Sequence, residues 1–208
     1  MQNINRRSFF CSFLSSLFVR NAFAQQNIDI TANEAYVALR GNLNGKNSYE
    51  LLLDTIDPNF HNNILDLACG SGVLLEYCNK RFPLKQKLYG VDMNENELKL
   101  ARTRLLNKGV NFYNAKAQEL NFIKDASKDV IFCHWALTLM DSIELVISEV
   151  KRIIKNRGLF AAVVDGDTYG CKQYREINEI IYDTYLNPKI ESFSTKDIVN
   201  IFNRNGLS

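Results

Sequence analysis

No two of the five cysteines in this 208-residue chain stand as C-x-x-C. Cys11, Cys69, Cys78, Cys133 and Cys171 are scattered through apolar segments instead, which argues against a zinc site or a disulfide framework and for reduced, buried thiols. Runs of like charge are also missing. Lys and Arg number 25 against 23 Asp and Glu, and no stretch of five or more charges of one sign marks a nucleic-acid arm. Nor is there an apolar run long enough to span a bilayer as a helix, the longest candidate covering only residues 9–19. No internal repeat or low-complexity segment appears. What remains is a chain of ordinary single-domain size, 46% hydrophobic and 23% charged, with a net charge of +2 that names no partner.

The first residues allow two readings. Arg6-Arg7 precede the apolar run 9–19, and Ala22-Phe23-Ala24 has the small-x-small form of a cleavage site. Residues 1–27 are therefore either a leader ahead of a cytoplasmic domain or a signal peptide cut after Ala24. Arg6-Arg7-Ser8-Phe9-Phe10 resembles the twin-arginine export signal, with Asn5 standing where that signal has Ser or Thr.

From residue 28 onward the chain reads as one domain, 28–208. Tyr36, Leu39 and Leu43, then Tyr49, Leu52, Leu53 and Ile56, recur at helical spacing and predict one or two short helices ended by Pro58. A strict alternation follows. Ile64-Leu65-Asp66-Leu67-Ala68 predicts a strand, and Val73, Leu74, Tyr77, Cys78 and Phe82 the next helix. Residues 87–92 predict a second strand, with Asn94 and Glu97 at capping-box spacing opening a helix that Gly109 stops. Strands are predicted at 110–115 and 129–133, a helix over 142–155 ended by Gly158, and an apolar fifth strand over 159–164. Helices are further expected over 174–185 and 195–203. Strands alternating with helices, and apolar on both faces, imply an α/β fold with a doubly wound, mostly parallel, Rossmann-like sheet.

In such a sheet a strand that turns tightly into a helix at its carboxyl end leaves a crevice, where backbone amides and the helix N-terminus face a ligand. Gly70-Ser71-Gly72 occupies that turn and Asp66 ends the strand before it. Asp92, twenty-two positions after Gly70, ends the next strand, where a carboxylate can accept both ribose hydroxyls of an adenosine. The glycines alone admit a nicotinamide dinucleotide too. That fingerprint, however, requires a third Gly or Ala where Leu75 stands.

At this point a resemblance enters. Ile64 to Gly72, I-L-D-L-A-C-G-S-G, resembles motif I of class I S-adenosylmethionine (SAM)-dependent methyltransferases, and Tyr89-Gly90-Val91-Asp92 the strand that follows it. Ala117-Gln118-Glu119-Leu120 resembles the segment bordering adenine, Asp129-Val130-Ile131-Phe132-Cys133 the fourth-strand motif, and residues 149–158 the helix-turn stretch that usually ends Lys-Pro-Gly-Gly, with Asn156-Arg157 as a departure. The likeness covers residues 60 to 165, in the order the family requires. It implies SAM as cofactor. Asp66, Ala68, Gly70, Ser71 and Gly72 would then border the methionine moiety, Asp92 the ribose, Met93, Ala117 and Gln118 the adenine, and Cys133 and His134 the floor near the sulfonium.

Methyl transfer from a sulfonium is an in-line displacement in which a catalyst chiefly orients the acceptor and excludes water, so a base is optional. His134, one of only two histidines, is the candidate, with Asp141, Tyr36 and Arg40 as further ones; Trp135 either packs in the core or stacks on an acceptor. Cys133-His134-Trp135-Ala136 is not the Asn/Asp-Pro-Pro-Tyr/Phe run of enzymes that methylate DNA amino groups, and no basic stripe accompanies it. The expectation is an enzyme that methylates a small molecule on O, C or N, with no nucleic-acid partner, no metal and no stable membrane span. Family members add two antiparallel strands after the helix that here ends near Gly206. The alternatives are accordingly a truncated, non-catalytic SAM-binding protein with a sheet edge open to a partner or second copy, or an NAD(P)-dependent oxidoreductase.

Overall fold

The computed structural model of the chain describes residues 45–83, 86–164 and 195–206. Apart from 45–48 and Thr195, these belong to one compact unit, 49–165 with 196–208. Residues 1–27, Tyr36, Arg40 and the helix expected over 174–185 lie outside the described residues.

Helix α1 (Ser48–Leu53) leads into strand β1 (Asn63–Leu67), helix α2 (Val73–Arg81), β2 (Lys87–Asp92), α3 (Glu95–Arg104), β3 (Asn111–Asn114), β4 (Lys128–His134), α4 (Ile143–Ile153) and β5 (Ile154–Val163), and α5 spans Thr195–Arg204. The strands form one sheet in the order β3-β2-β1-β4-β5, and every pairing is parallel. The chain therefore runs outward from β1 through β2 to β3, then returns to the far side of β1 with β4. That reversal is the switch point at which open α/β sheets bind ligands, beyond the carboxyl ends of the strands.

Burial explains the strand sequences. Ile64, Leu65 and Leu67 of β1 and Val130, Ile131, Phe132 and Cys133 of β4 expose no surface, because the central strands are covered on both faces and so read as continuous apolar runs. Each such large side chain contributes about 1.5–3 kcal/mol of burial energy. Helix α4 buries Ile143, Val146, Ile147, Val150 and Ile153, the i, i+3, i+4, i+7 stripe of an amphipathic helix. At the cap of α3 the Asn94 side chain accepts from the Asn96 amide at 3.0 Å, one residue before the amide a capping box would use.

One boundary differs from expectation. Helix α4 ends at Ile153 and β5 begins at once with Ile154 paired to Lys128; the register then shifts, so that Leu159 pairs with Val130. Residues 155–158 thus bulge out of the ladder where the sequence suggested helix and turn. Ile154 continues the helical spacing of Val150, which hides the switch. The bulge itself is enforced by Arg157 in the left-handed region at φ 65° and by Gly158, where a Cβ would lie 2.6 Å from Ile154 Cγ1 and 3.1 Å from the Asp129 carbonyl. The apolar part of β5, moreover, is only half-buried.

Candidate functional site

The residues singled out for the cofactor lie at the carboxyl ends of β1, β2 and β4 and in the turn after β3. Beyond β1 the chain enters a left-handed turn. Ala68 has φ 59°, Gly70 50° and Gly72 78°, and the Cys69 amide still donates to the Val91 carbonyl at 3.0 Å, which keeps the turn tied to β2. Gly72 is obligatory twice over: its φ suits glycine, and a Cβ there would meet Ala101 Cβ at 3.1 Å, so its absence lets the start of α2 approach α3. Gly90, beside it in β2, leaves room for Cys69 Sγ and the Phe112 ring, each 2.8 Å from where a Cβ would lie.

Asp92 braces the loop. Its Oδ2 accepts from the Gly70 amide at 2.8 Å and its Oδ1 from the Asn94 amide at 2.8 Å, which joins the ends of β1 and β2 through one carboxylate. Each oxygen keeps a second lone pair for another donor. Asn114, at the end of β3, in turn holds the backbone of this corner, donating its Nδ2 to the carbonyls of Asp92 at 3.1 Å and Met93 at 3.0 Å. Met93 itself is 69% exposed. Arg104 of α3 donates Nε to the Ser71 carbonyl at 2.9 Å and pairs with Glu76 of α2 at 3.0 Å.

Two polar side chains within this braced loop are left over. Asp66 is 1% exposed and Ser71 2%, and neither Asp66 Oδ1 nor Ser71 Oγ has a hydrogen-bond partner among the described residues. Burial pushes the Asp66 carboxyl well above the ordinary carboxylate range, and the nearby charge of Asp92 pushes it further. A buried polar atom without a partner costs about 1–3 kcal/mol, so such a pair beside a glycine turn has the character of a site that awaits a ligand.

Across the switch point β4 ends in Cys133 and His134. Burial drives the Cys133 thiol up to about 12, which makes it an inert wall. The His134 ring stacks on Tyr49 of α1 with centroids 4.3 Å apart and leans on Trp135 at 4.7 Å, while Tyr49 also stacks on Tyr77 of α2 at 5.5 Å. Burial pushes the imidazole down to about 3. The ring is therefore neutral at physiological pH and too weakly basic to serve well as a general base. Trp135 is buried and adopts φ 54°, held by its amide bond to the Val163 carbonyl at 2.8 Å. A bulky residue in the left-handed region costs about 1–2 kcal/mol, and the strain falls where the chain leaves the sheet beside the site. Ala117 is buried and Gln118 half-buried in the turn after β3, whereas Asp141 is exposed.

The donors and acceptors present suit an adenosine joined to an amino acid. Asp92 offers free lone pairs to a diol, Asp66 and Ser71 an acceptor and a hydroxyl to an ammonium and a carboxylate, and Met93 an apolar face to a base. Comparison with known proteins decides between cofactors. Residues 65–162 match the family described as "Methyltransferase domain".

These residues form a class I SAM-dependent methyltransferase domain.

Demethylmenaquinone methyltransferase of Leptospira interrogans is 34% identical to the chain over 116 residues, which cover 52% of this chain and 46% of that protein. The ubiquinone/menaquinone biosynthesis C-methyltransferase of Shewanella pealeana is 30% identical over 141 residues, 64% of this chain and 54% of that one. The match thus spans about half the length of these relatives. Among solved structures, YcgJ of Bacillus subtilis superposes with a TM-score of 0.61 at 22% identity, covering 76% of this chain and 67% of its own, a likeness of fold. The methyltransferase domain thus has the sheet that the sequence implied.

Sequence reasoning missed Tyr49, Arg104 and Asn114. Tyr49 looked like one more apolar position on a helix, and the other two act only through contacts to loops far away in the chain. Only the position of Asn114 at a strand end in a parallel sheet could have drawn notice to it.

Proposed function

We propose that this chain transfers the methyl group of SAM to a small-molecule acceptor. The observation that carries the reading is the buried Asp66 carboxyl, whose Oδ1 has no partner among the described residues, beside the Gly70-Ser71-Gly72 turn within a domain of the methyltransferase family. Asp66 and Ser71, with Ala68, Gly70 and Gly72 shaping the loop, would hold the amino-acid end of the cofactor, Asp92 the ribose, and Met93, Ala117 and Gln118 the adenine. SAM, when bound, supplies an electrophilic methyl group on a sulfonium that leaves as a neutral thioether. The chain's own contribution is orientation and exclusion of water. The inert Cys133 and the neutral, ring-packed His134 form a floor with no charge to attract solvent; His134 acts there as a wall or hydrogen-bonding group and not as a base.

The two relatives are named for methylating demethylmenaquinone and for C-methylation in ubiquinone and menaquinone synthesis, which makes a quinone-type ring carbon the first acceptor to test, ahead of phenolic oxygens and amines. Among the described residues no helix is long and apolar enough to cross a membrane. Because SAM is made and used in the cytosol, the reading places the chain's work there. The test is transfer of radiolabel from methyl-labelled SAM to demethylated quinones, phenols and amines by the full chain. Label in a ring carbon is the expected outcome. Binding of NAD without binding of SAM or its demethylated product would overturn the reading.

A further inference from the structure

Helix α4 carries a pair of charges whose hydrogen bonds go almost entirely to a segment about thirty residues earlier. Arg152 donates Nη2 to the Leu120 carbonyl at 2.9 Å and Nη1 to the Ile123 carbonyl at 2.8 Å, and it pairs with Asp125 at 2.5 Å. Its Nε and Nη2 also bond Glu149 Oε1 and Oε2 at 2.9 and 2.8 Å. Glu149 Oε2 accepts from the Leu120 amide at 2.9 Å, so both backbone polar groups of Leu120 end on this one pair. The Arg152 carbonyl takes the Ala126 amide at 2.9 Å, and the next carbonyl, of Ile153, takes Ser127 at 2.8 Å.

The segment so held has little else to define it. After β3 the chain makes two turns, closed by Glu119 N to Lys116 O at 3.0 Å and Ile123 N to Leu120 O at 2.8 Å, with the fully buried Leu120 side chain between them. Gln118 lies inside the first turn, two residues from the clamp, and Ala117 is buried beside it. A turn without ladder bonds can keep a binding edge in place only if something outside it fixes its end. Hydrogen bonding to Arg152 keeps the Glu149 carboxyl below the ordinary range, as a pair committed to one geometry would.

We propose that Glu149 and Arg152 are positioning residues for the adenine side of the cofactor site, fixing the Ala117–Gln118 turn through both backbone groups of Leu120. The inference rests on the SAM reading above and adds to it that the affinity for the adenine ring is set partly from α4, by residues that do not touch the ligand.

The test is calorimetric titration of the full chain and of Glu149→Gln with S-adenosylhomocysteine and with S-inosylhomocysteine, in which an oxo group replaces the amino group of adenine. Glu149→Gln keeps the shape but weakens the hold on Arg152 and Leu120. The expected result is an affinity for S-adenosylhomocysteine lowered about tenfold, with that for S-inosylhomocysteine changed less than about twofold, because a purine edge the turn no longer reads has nothing more to lose. Equal losses for both ligands would show a general loosening and overturn the proposal, as would no loss for either. Arg152→Lys keeps the charge but cannot span two carbonyls and Glu149 together; it is expected to lose about threefold on S-adenosylhomocysteine alone, and it carries the same comparison should Glu149→Gln not fold. Faster hydrogen exchange at the Leu120 amide should accompany either loss, and unchanged exchange would count against the clamp. If the unaltered chain binds neither nucleoside, the SAM reading itself falls, an outcome distinct from a variant that binds as well as the parent.

Discussion

Two buried carboxyls at opposite ends of the sheet, Asp129 and Asp66, are treated in opposite ways. At the amino edge Asp129 is 8% exposed and nearly saturated: Oδ2 takes the Asn62 and Asn63 amides at 3.1 and 2.8 Å and Asn63 Nδ2 at 2.9 Å, while Oδ1 takes the Lys155 ammonium at 2.7 Å. Burial alone would raise its carboxyl, but Lys155 and the Asn63 and Asn62 donors outweigh it and hold the pKa below the ordinary value. At the carboxyl edge Asp66 is buried as deeply and has an oxygen without a partner, Ser71 likewise, and Ala68 and Trp135 stand in the left-handed region. Asp129 is satisfied by the protein itself, whereas Asp66 and Ser71 each keep an atom without a partner among the described residues, at the edge where such sheets bind ligands.

Removing Asp129 should have the largest effect. Asp129→Ala leaves two amides and an ammonium without their acceptor, and stability should fall by about 2–4 kcal/mol in denaturant unfolding, with affinity for S-adenosylhomocysteine unchanged. A loss of affinity without a loss of stability would break the comparison.

Asp66→Asn should act in the opposite sense. Because the folded chain raises the Asp66 pKa, the neutral form is favoured by folding; that contribution is complete below the ordinary value of 3.8 and is lost as pH rises past the raised folded value. The amide cannot ionise, so the variant should melt higher than the parent by a margin that widens with pH, reaching about 1–2 kcal/mol, or about 2–8 °C, at pH 9. A variant that melts lower at every pH would make Asp66 a structural acceptor.

At neutral pH, where the ring is uncharged in folded and unfolded chain alike, the smallest effect concerns His134. Its folded pKa lies near 3 against an ordinary 6.5, so its contribution to stability is intact above pH 6.5 and drains away as pH falls toward 3. His134→Phe should keep the stack on Tyr49 and flatten the fall in melting temperature between pH 6.5 and 4. An unchanged acid limb would place the sensitivity elsewhere.

Much of this architecture could be read from the residues alone, for a local reason. Strand β4 is apolar because both its faces are covered, α4 carries its stripe, and Gly70 with Asp92 sits at two successive strand ends, so each signal lies within a few residues of its cause. The less legible parts depend on distant contacts. Nothing near Tyr49 reveals that it will stack on His134, and nothing near Glu149 and Arg152 shows that their partners lie at 120–125. The bulge at 155–158 escaped because Ile154 fits both a helical stripe and a strand. His134, marked as a catalytic candidate by its rarity and position, proves to be a packed neutral ring, since a pattern of residue types carries no information on desolvation.

The central claim, that the unpaired groups of the carboxyl edge are kept for a cofactor, is tested most directly by calorimetric titration of S-adenosylhomocysteine into the full chain and into Asp66→Asn at pH 8. One-to-one binding by the parent, weakened about tenfold or more in the variant, is the predicted result, given that a hydrogen bond to a charged group is worth about 1.5–3 kcal/mol. Equal affinity in the two proteins would contradict it.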